Sequence, residues 1–215
     1  MLRSILRLLL PCLSLPGLLL TGGEADARVA TARIARLTTA VAVLDGVRVQ
    51  LEWPAQAVQG SLRIQATRVD APDLGYRFRN LDWHCPLQRD GQGGWRCDGQ
   101  LRGGGGAPFR LSLDLGTATT DARLSRGTGA IALSRNAAAP DITRLDLTRV
   151  PLAWAQALLS RGWTDGRITG GTFDSRLVIA AAKRQPLRIA GPLTLHAAAI
   201  DTPDGTIAAQ GLGAQ

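Results

Sequence analysis

Apolar and polar residues alternate in short runs along most of this chain, from residue 46 to residue 212, and glycines separate many of the runs. Within residues 109–115, for example, Phe or Leu occupies every odd position, while Arg, Ser and Asp occupy the even positions. Successive side chains of a β-strand point to opposite faces of a sheet, so such a run gives a strand with one apolar and one polar face. Several runs in series predict an antiparallel sheet that is apolar on one side only.

The fold predicted from this pattern is mainly β: a single extended, curved antiparallel sheet of about ten short strands with one short helix. Residues 28–43 alternate poorly and are interpreted as an opening strand, with a short helix as the alternative. The other strands are predicted at 46–53, 60–69, 75–87, 94–102, 108–116, 120–126, 128–134, 142–149, 168–180, 186–196 and 206–212.

The predicted helix spans about residues 151–161. Pro151 suits the first helical position, and Gly162 suits the residue after a helix C-terminus. Because so short a helix is not stable alone, we expect it to cap an open end of the sheet or to cover part of its apolar face. Trp154 and Trp163 are expected to contribute to that cover.

The first 27 residues have the pattern of a secretory signal peptide. Two arginines precede a nearly uninterrupted apolar stretch at residues 8–20. Ala25 and Ala27 then supply the two small residues that a signal peptidase recognises before its cleavage site. The apolar stretch is short for a membrane-spanning helix, which needs about 20 residues. We therefore predict export to the periplasm, with retention as an inner-membrane anchor as the alternative. Residues 28–215 then form a β-rich groove domain, either alone or as the N-terminal portion of a longer architecture.

Two cysteines, Cys85 and Cys97, flank the turn sequence of residues 89–94. If the hairpin turn centres on Gly91, Cys85 lies directly opposite Cys97, at a Cβ separation of about 4.5–5.5 Å that is close to what a disulfide needs. A disulfide is predicted, and it fits an oxidising compartment. Free thiols remain an alternative, as does a metal site, which would need His84 as a further ligand.

The chain has a net charge of +8 at pH 7, with 25 Lys and Arg against 17 Asp and Glu. The arginines are spread along the strands without forming a concentrated patch, which argues against nucleic acid as a partner. A basic exported protein can approach an anionic membrane surface. Frequent use of arginine by a GC-rich genome would give the same charge without any such role.

The sequence contains no arrangement typical of a catalytic or cofactor site. Its only histidines, His84 and His196, stand at strand positions predicted to face solvent. The glycine run at residues 103–106 lacks the lysine that follows in a phosphate-binding loop. We therefore expect that the protein is not an enzyme and that it binds no metal and no cofactor.

Three segments of the C-terminal third, residues 145–152, 165–171 and 186–195, resemble the AsmA-like repeating-groove proteins of the Gram-negative envelope, in particular their YdbH-type branch. Their order is a strand, a short helix, a glycine-rich opening and a long pair of strands. The resemblance implies a taco-shaped sheet whose apolar face shelters phospholipid acyl chains in transit between two membranes, without enzymatic activity. This chain is much shorter than members of that group usually are.

Apolar strand positions are the candidate lining of such a groove, although an ordinary sandwich or barrel core would show the same alternation. We expect a periplasmic protein that handles or transports lipids; the alternative is a structural or assembly component of an envelope machine, such as a type II secretion accessory protein. The candidate groove residues are Leu62, Ile64, Phe109, Leu111, Leu113, Leu177, Ile179, Leu187, Ile189, Leu193 and Leu195.

Overall fold

The structure, a computed structural model, describes residues 28–39, 42–72, 75–157, 165–182, 185–186, 188–209 and 212–214. The predicted signal peptide lies outside these residues. The strands are β1 (Arg28–Thr38), β2 (Val43–Trp53), β3 (Gln59–Ala71), β4 (Tyr76–Arg89), β5 (Trp95–Arg102), β6 (Phe109–Leu115), β7 (Thr119–Arg126), β8 (Gly129–Asn136), β9 (Ile142–Pro151), β10 (Arg167–Ala180), β11 (Arg188–Ala190), β12 (Leu193–Thr202), β13 (Gly205–Ala209) and β14 (Leu212–Ala214).

All fourteen strands belong to one open, curved antiparallel sheet, which confirms the predicted fold class. Strands β1 to β10 are neighbours in chain order, and β12 and β13 follow, so the sheet is a meander. The strand count exceeds the predicted ten partly because the strand expected at residues 186–196 is broken into β11 and β12, which both pair with β10. Gly191 lies at this break, where a Cβ atom would overlap the Arg176 carbonyl oxygen.

The segment predicted as a helix contains a 3-10 turn at Leu152–Ala155. Residues 158–164, and with them Gly162 and Trp163, lie outside the described part of the chain. The ambiguous N-terminal segment is a strand, β1, as favoured by its sequence. Residues 156–157, which follow the 3-10 turn, are helical.

Cys85 and Cys97 form the predicted disulfide, with a Cα–Cα distance of 5.5 Å. The predicted register is wrong by two residues, because Leu87 lies opposite Cys97 and His84 lies opposite Gln100. The turn centres on Gln92 instead of Gly91: the Asp90 carboxylate accepts hydrogen bonds from the backbone N–H groups of Gln92 and Gly94, at 2.9 and 2.6 Å. The Asp90 side chain thereby stabilises the turn, as Asp commonly does, and both cysteines remain on the same face.

Candidate functional site

One face of the sheet is apolar over almost its whole width. Facing residues on neighbouring strands form rows across the sheet, and one such row runs through ten strands from β2 to β12. Its members are Leu51, Leu62, Cys85, Gly99, Leu111, Leu124, Ile131, Leu147, Ser175 and Leu193. The polar member, Ser175, is buried, and its hydroxyl donates a 2.7 Å hydrogen bond to the Pro192 carbonyl oxygen. The face therefore presents no unsatisfied polar group along this row.

The N-terminal half of the apolar face is filled by its own side chains. Trp83 and Cys85 are 3% and 0% exposed, and they form a buried cluster with Leu87 and Cys97. Four of the candidate groove residues pack against this cluster: Leu62, Ile64, Leu111 and Leu113. These four positions contribute to a packed core in the present structure.

Two tryptophans pack together over the N-terminal half of the apolar face, at the ends of their strands. Trp53 on β2 contacts Trp95 on β5 edge-on, with 5.6 Å between ring centroids, although two strands separate them. Neighbouring strands lie about 4.8 Å apart, so this contact fits a sheet that curves toward its apolar face. The guanidinium of Arg89 lies 5.5 Å from the centre of the Trp95 ring.

The C-terminal half of the apolar face is less covered. Leu177 and Ile179 on β10 and Leu193 and Leu195 on β12 are only partly buried. Ile189 on β11 is 57% exposed. Leu187 lies outside the described residues. Among the candidate groove residues that the structure describes, Ile189 is therefore the exposed one, with partly buried aliphatic side chains of β10 and β12 beside it.

Residues 152–157, here called the capping segment, cross the apolar face at one end of the strands. Glycines make room for it: a Cβ atom on Gly129 would lie 2.9 Å from Cδ of Pro151, and one on Gly171 would lie 2.8 Å from Cδ1 of Leu152. The Gln156 side chain ties the segment to the start of β10, because its Oε1 accepts a 2.6 Å hydrogen bond from the Ile168 N–H. The capping segment therefore covers part of the apolar face, as its sequence predicted for a helix.

Phe109, a further candidate groove residue, lies beneath this segment. Its ring contacts Trp154 at 5.3 Å between centroids, and the Arg126 guanidinium lies 4.4 Å above its centre. Arg126 was not identified from the sequence. Alternation along β7 could have identified it, because Arg126 continues the series of every second residue that begins with Ala122 and Leu124 and faces the apolar side.

The opposite face of the sheet is polar and carries ion pairs between neighbouring strands. Arg63 binds Asp82 through two hydrogen bonds, and Arg110 binds Asp98 in the same way, at 2.8 and 2.7 Å. These hydrogen bonds hold the pKa of Asp82 and the pKa of Asp98 below the ordinary value of 3.8. Paired charges on this face and aliphatic groups on the other give the sheet two chemically distinct sides.

A cavity of about 670 Å³ lies on the polar face between β1 and β5. Its lining includes the Arg63–Asp82 pair, Glu52 and His84, so it is not an acyl-chain site. Both histidines are exposed, as predicted, and the Nε2 atom of His196 lies 2.7 Å from Oδ2 of Asp174. Within the described residues, no helix is both long enough and apolar enough to cross a membrane.

Comparisons of the chain with family models, with curated proteins and with solved structures returned no match.

Proposed function

We propose that this protein is a non-enzymatic lipid-handling protein of the periplasm that holds phospholipid acyl chains on the apolar face of its sheet. The observation that carries this proposal is the apolar row that crosses ten strands of a sheet that stays open. In a closed sandwich or barrel, a second layer of structure would cover such a face. Here, Ile189 and its neighbours remain accessible beyond the buried cluster.

The shape and composition of the accessible part fit an acyl chain. Five strands, from β7 to β10 and then β12, give a path of about 19 Å at the usual strand spacing. The acyl chains of one leaflet span about half of a 30 Å hydrocarbon core, so the path is long enough for one chain. The row members Leu124, Ile131, Leu147 and Leu193 along this path are aliphatic, which suits a flexible ligand.

The proposed role in the cell is transfer of phospholipids between membranes, as the AsmA-like resemblance implies. The disulfide on the apolar face is compatible with an exported protein. Because the sheet is short compared with the distance between two membranes, transfer would need contact with further protein or with several copies.

The experiment that tests this function is extraction of a fluorescent phosphatidylethanolamine from vesicles by the purified protein. Two adjacent residues of β10 supply matched variants. Ile179→Glu places a charge on the apolar face, whereas Val178→Glu places the same charge on the polar face, where Val178 is already 43% exposed. We expect extraction to be lost in the first variant and kept in the second. Equal extraction by both variants would contradict the proposal.

A second candidate function, assembly within an envelope machine, is favoured by β1, which lies at the edge of the sheet formed by the described residues. All eleven residues of β1 are exposed, and Val29 is 66% exposed. An unpaired strand edge can accept a partner strand. A photo-crosslinking residue at position 29 should then capture a protein partner in cells, whereas the same residue at the exposed loop position Val58 should not. No capture at position 29 would contradict this candidate.

A further inference from the structure

Arg126 is a charged residue on the apolar face. It ends β7, and the register places it opposite Phe109 on β6 and Gly129 on β8. The capping segment passes above it and brings the Trp154 ring to 5.2 Å from its guanidinium carbon. Arg126 is therefore partly buried against two aromatic rings that also contact each other, at one end of the apolar face.

Within the described ranges, Arg126 has no acidic partner, and it differs from the unpaired arginines of the polar face, such as Arg123, in being partly buried against two aromatic rings. Arg63 and Arg110 each bind an aspartate on a neighbouring strand. In the described part of the chain, no Asp or Glu oxygen lies within the 4.0 Å ion-pair distance of Arg126. Its interactions there are the two ring contacts.

The chemistry of guanidinium makes this arrangement a binding geometry for an anion. Among the described residues, the Arg126 side chain contacts the two rings and donates no hydrogen bond. Its N–H donors match the two oxygens of a carboxylate or phosphate. A charge on an apolar surface is costly without a partner. An incoming acid group would supply that partner while its alkyl chain covers the neighbouring aliphatic residues.

We propose that Arg126 binds the acid group, carboxylate or phosphate, of an anionic amphiphile whose acyl chain lies along the apolar face toward Leu124 and Ile131. This inference rests on the proposed function, because it assumes that the apolar face holds an acyl chain. It adds that the ligand is an anion and that its head lies beneath the capping segment, at Arg126.

The test compares three probes by isothermal titration calorimetry at mildly alkaline pH: dodecanoate, dodecanol and inorganic phosphate. The variant is Arg126→Gln. The matched control is Arg123→Gln, which removes the same charge from the polar face of the same strand. We expect the wild type and the control to bind dodecanoate about tenfold more tightly than dodecanol, as one charge-assisted contact provides. Arg126→Gln should bind both probes with the affinity that the wild type has for dodecanol.

Equal binding of both probes by the wild type would overturn the role of Arg126 and leave the proposed function standing. Binding of neither probe would overturn the proposed function itself. Saturable binding of phosphate that disappears in Arg126→Gln, without a preference for dodecanoate, would assign the site to a free anion and overturn the inference. If Arg126→Gln does not fold, Arg126→Met takes its place, since it keeps a flexible apolar side chain against the rings and removes the charge. An unchanged dodecanoate preference in that variant would contradict the inference.

Discussion

Cys85 lies directly opposite Gly99 on the neighbouring strand, and the disulfide runs diagonally to Cys97, two residues nearer the turn. A Cβ atom on Gly99 would overlap the His84 carbonyl oxygen and would lie 2.7 Å from Cβ of Cys85. The missing side chain of Gly99 therefore lets β4 and β5 approach closely where the disulfide forms.

Substitution of Gly99 by alanine should lower the free energy of unfolding by about 1–3 kcal/mol, because the new methyl group must displace backbone atoms in a packed region. Chemical denaturation measures this change. Gly91→Ala is the control from the same hairpin, since nothing lies within 4 Å of a Cβ atom there. Equal stability of the two variants would contradict the close approach of β4 and β5 at Gly99.

Removal of the disulfide by a Cys85→Ala, Cys97→Ala double substitution should cost about 3 kcal/mol of stability, the usual effect of opening a loop of this size. The two cysteines are separated by 12 positions in sequence. Alkylation of material purified from the periplasm should detect no free thiol before reduction. Two reactive thiols, or an unchanged unfolding midpoint in the double variant, would contradict the assignment.

Much of the fold could be predicted because alternation with period two fixes which residues share a face, whatever the register. Leu87 and Cys97 thus stay on the apolar side although the hairpin register differs by two positions. The register itself depends on turn chemistry: the Asp90 carboxylate binds two backbone N–H groups, and this shifted the centre of the turn to Gln92. Nor could alternation separate packed core from accessible surface, because both consist of the same residue types.

Two candidate groove residues, Leu111 and Ile189, should respond differently to a charge. Leu111 packs against the buried cluster, so Leu111→Glu should destabilise the fold by several kcal/mol through an unpaired buried charge. Ile189 is 57% exposed, so Ile189→Glu should fold normally and lose bound lipid. Thermal unfolding and lipid extraction of both variants check this. Loss of folding in Ile189→Glu would show that β11 belongs to the core.

Stability should decrease in acid because of the ion pairs on the polar face. The pKa of Asp82 and the pKa of Asp98 are lowered in the folded state, mainly by hydrogen bonds from Arg63 and Arg110. Each pair therefore stabilises the fold above the unfolded value of 3.8, and that contribution is lost as the pH falls through the lowered folded pKa. The effect per pair is small because both partners are accessible to solvent.

A combined Arg63→Gln, Arg110→Gln variant should show a flatter loss of stability below about pH 4 than the wild type. Urea denaturation over an acid pH series measures the slope. Arg123→Gln, which removes an arginine without an acidic partner among the described residues, should leave the slope unchanged. Equal slopes in all three proteins would mean that the pairs do not contribute.

The most direct measurement of the central claim is native mass spectrometry of the protein purified from periplasm, with lipid extraction of the same sample. The account predicts bound phospholipid or fatty acid at a defined stoichiometry, removed by the Ile179→Glu substitution and retained with Val178→Glu. A protein that carries its disulfide and no lipid, and that takes up none when offered phospholipid vesicles, would contradict the account.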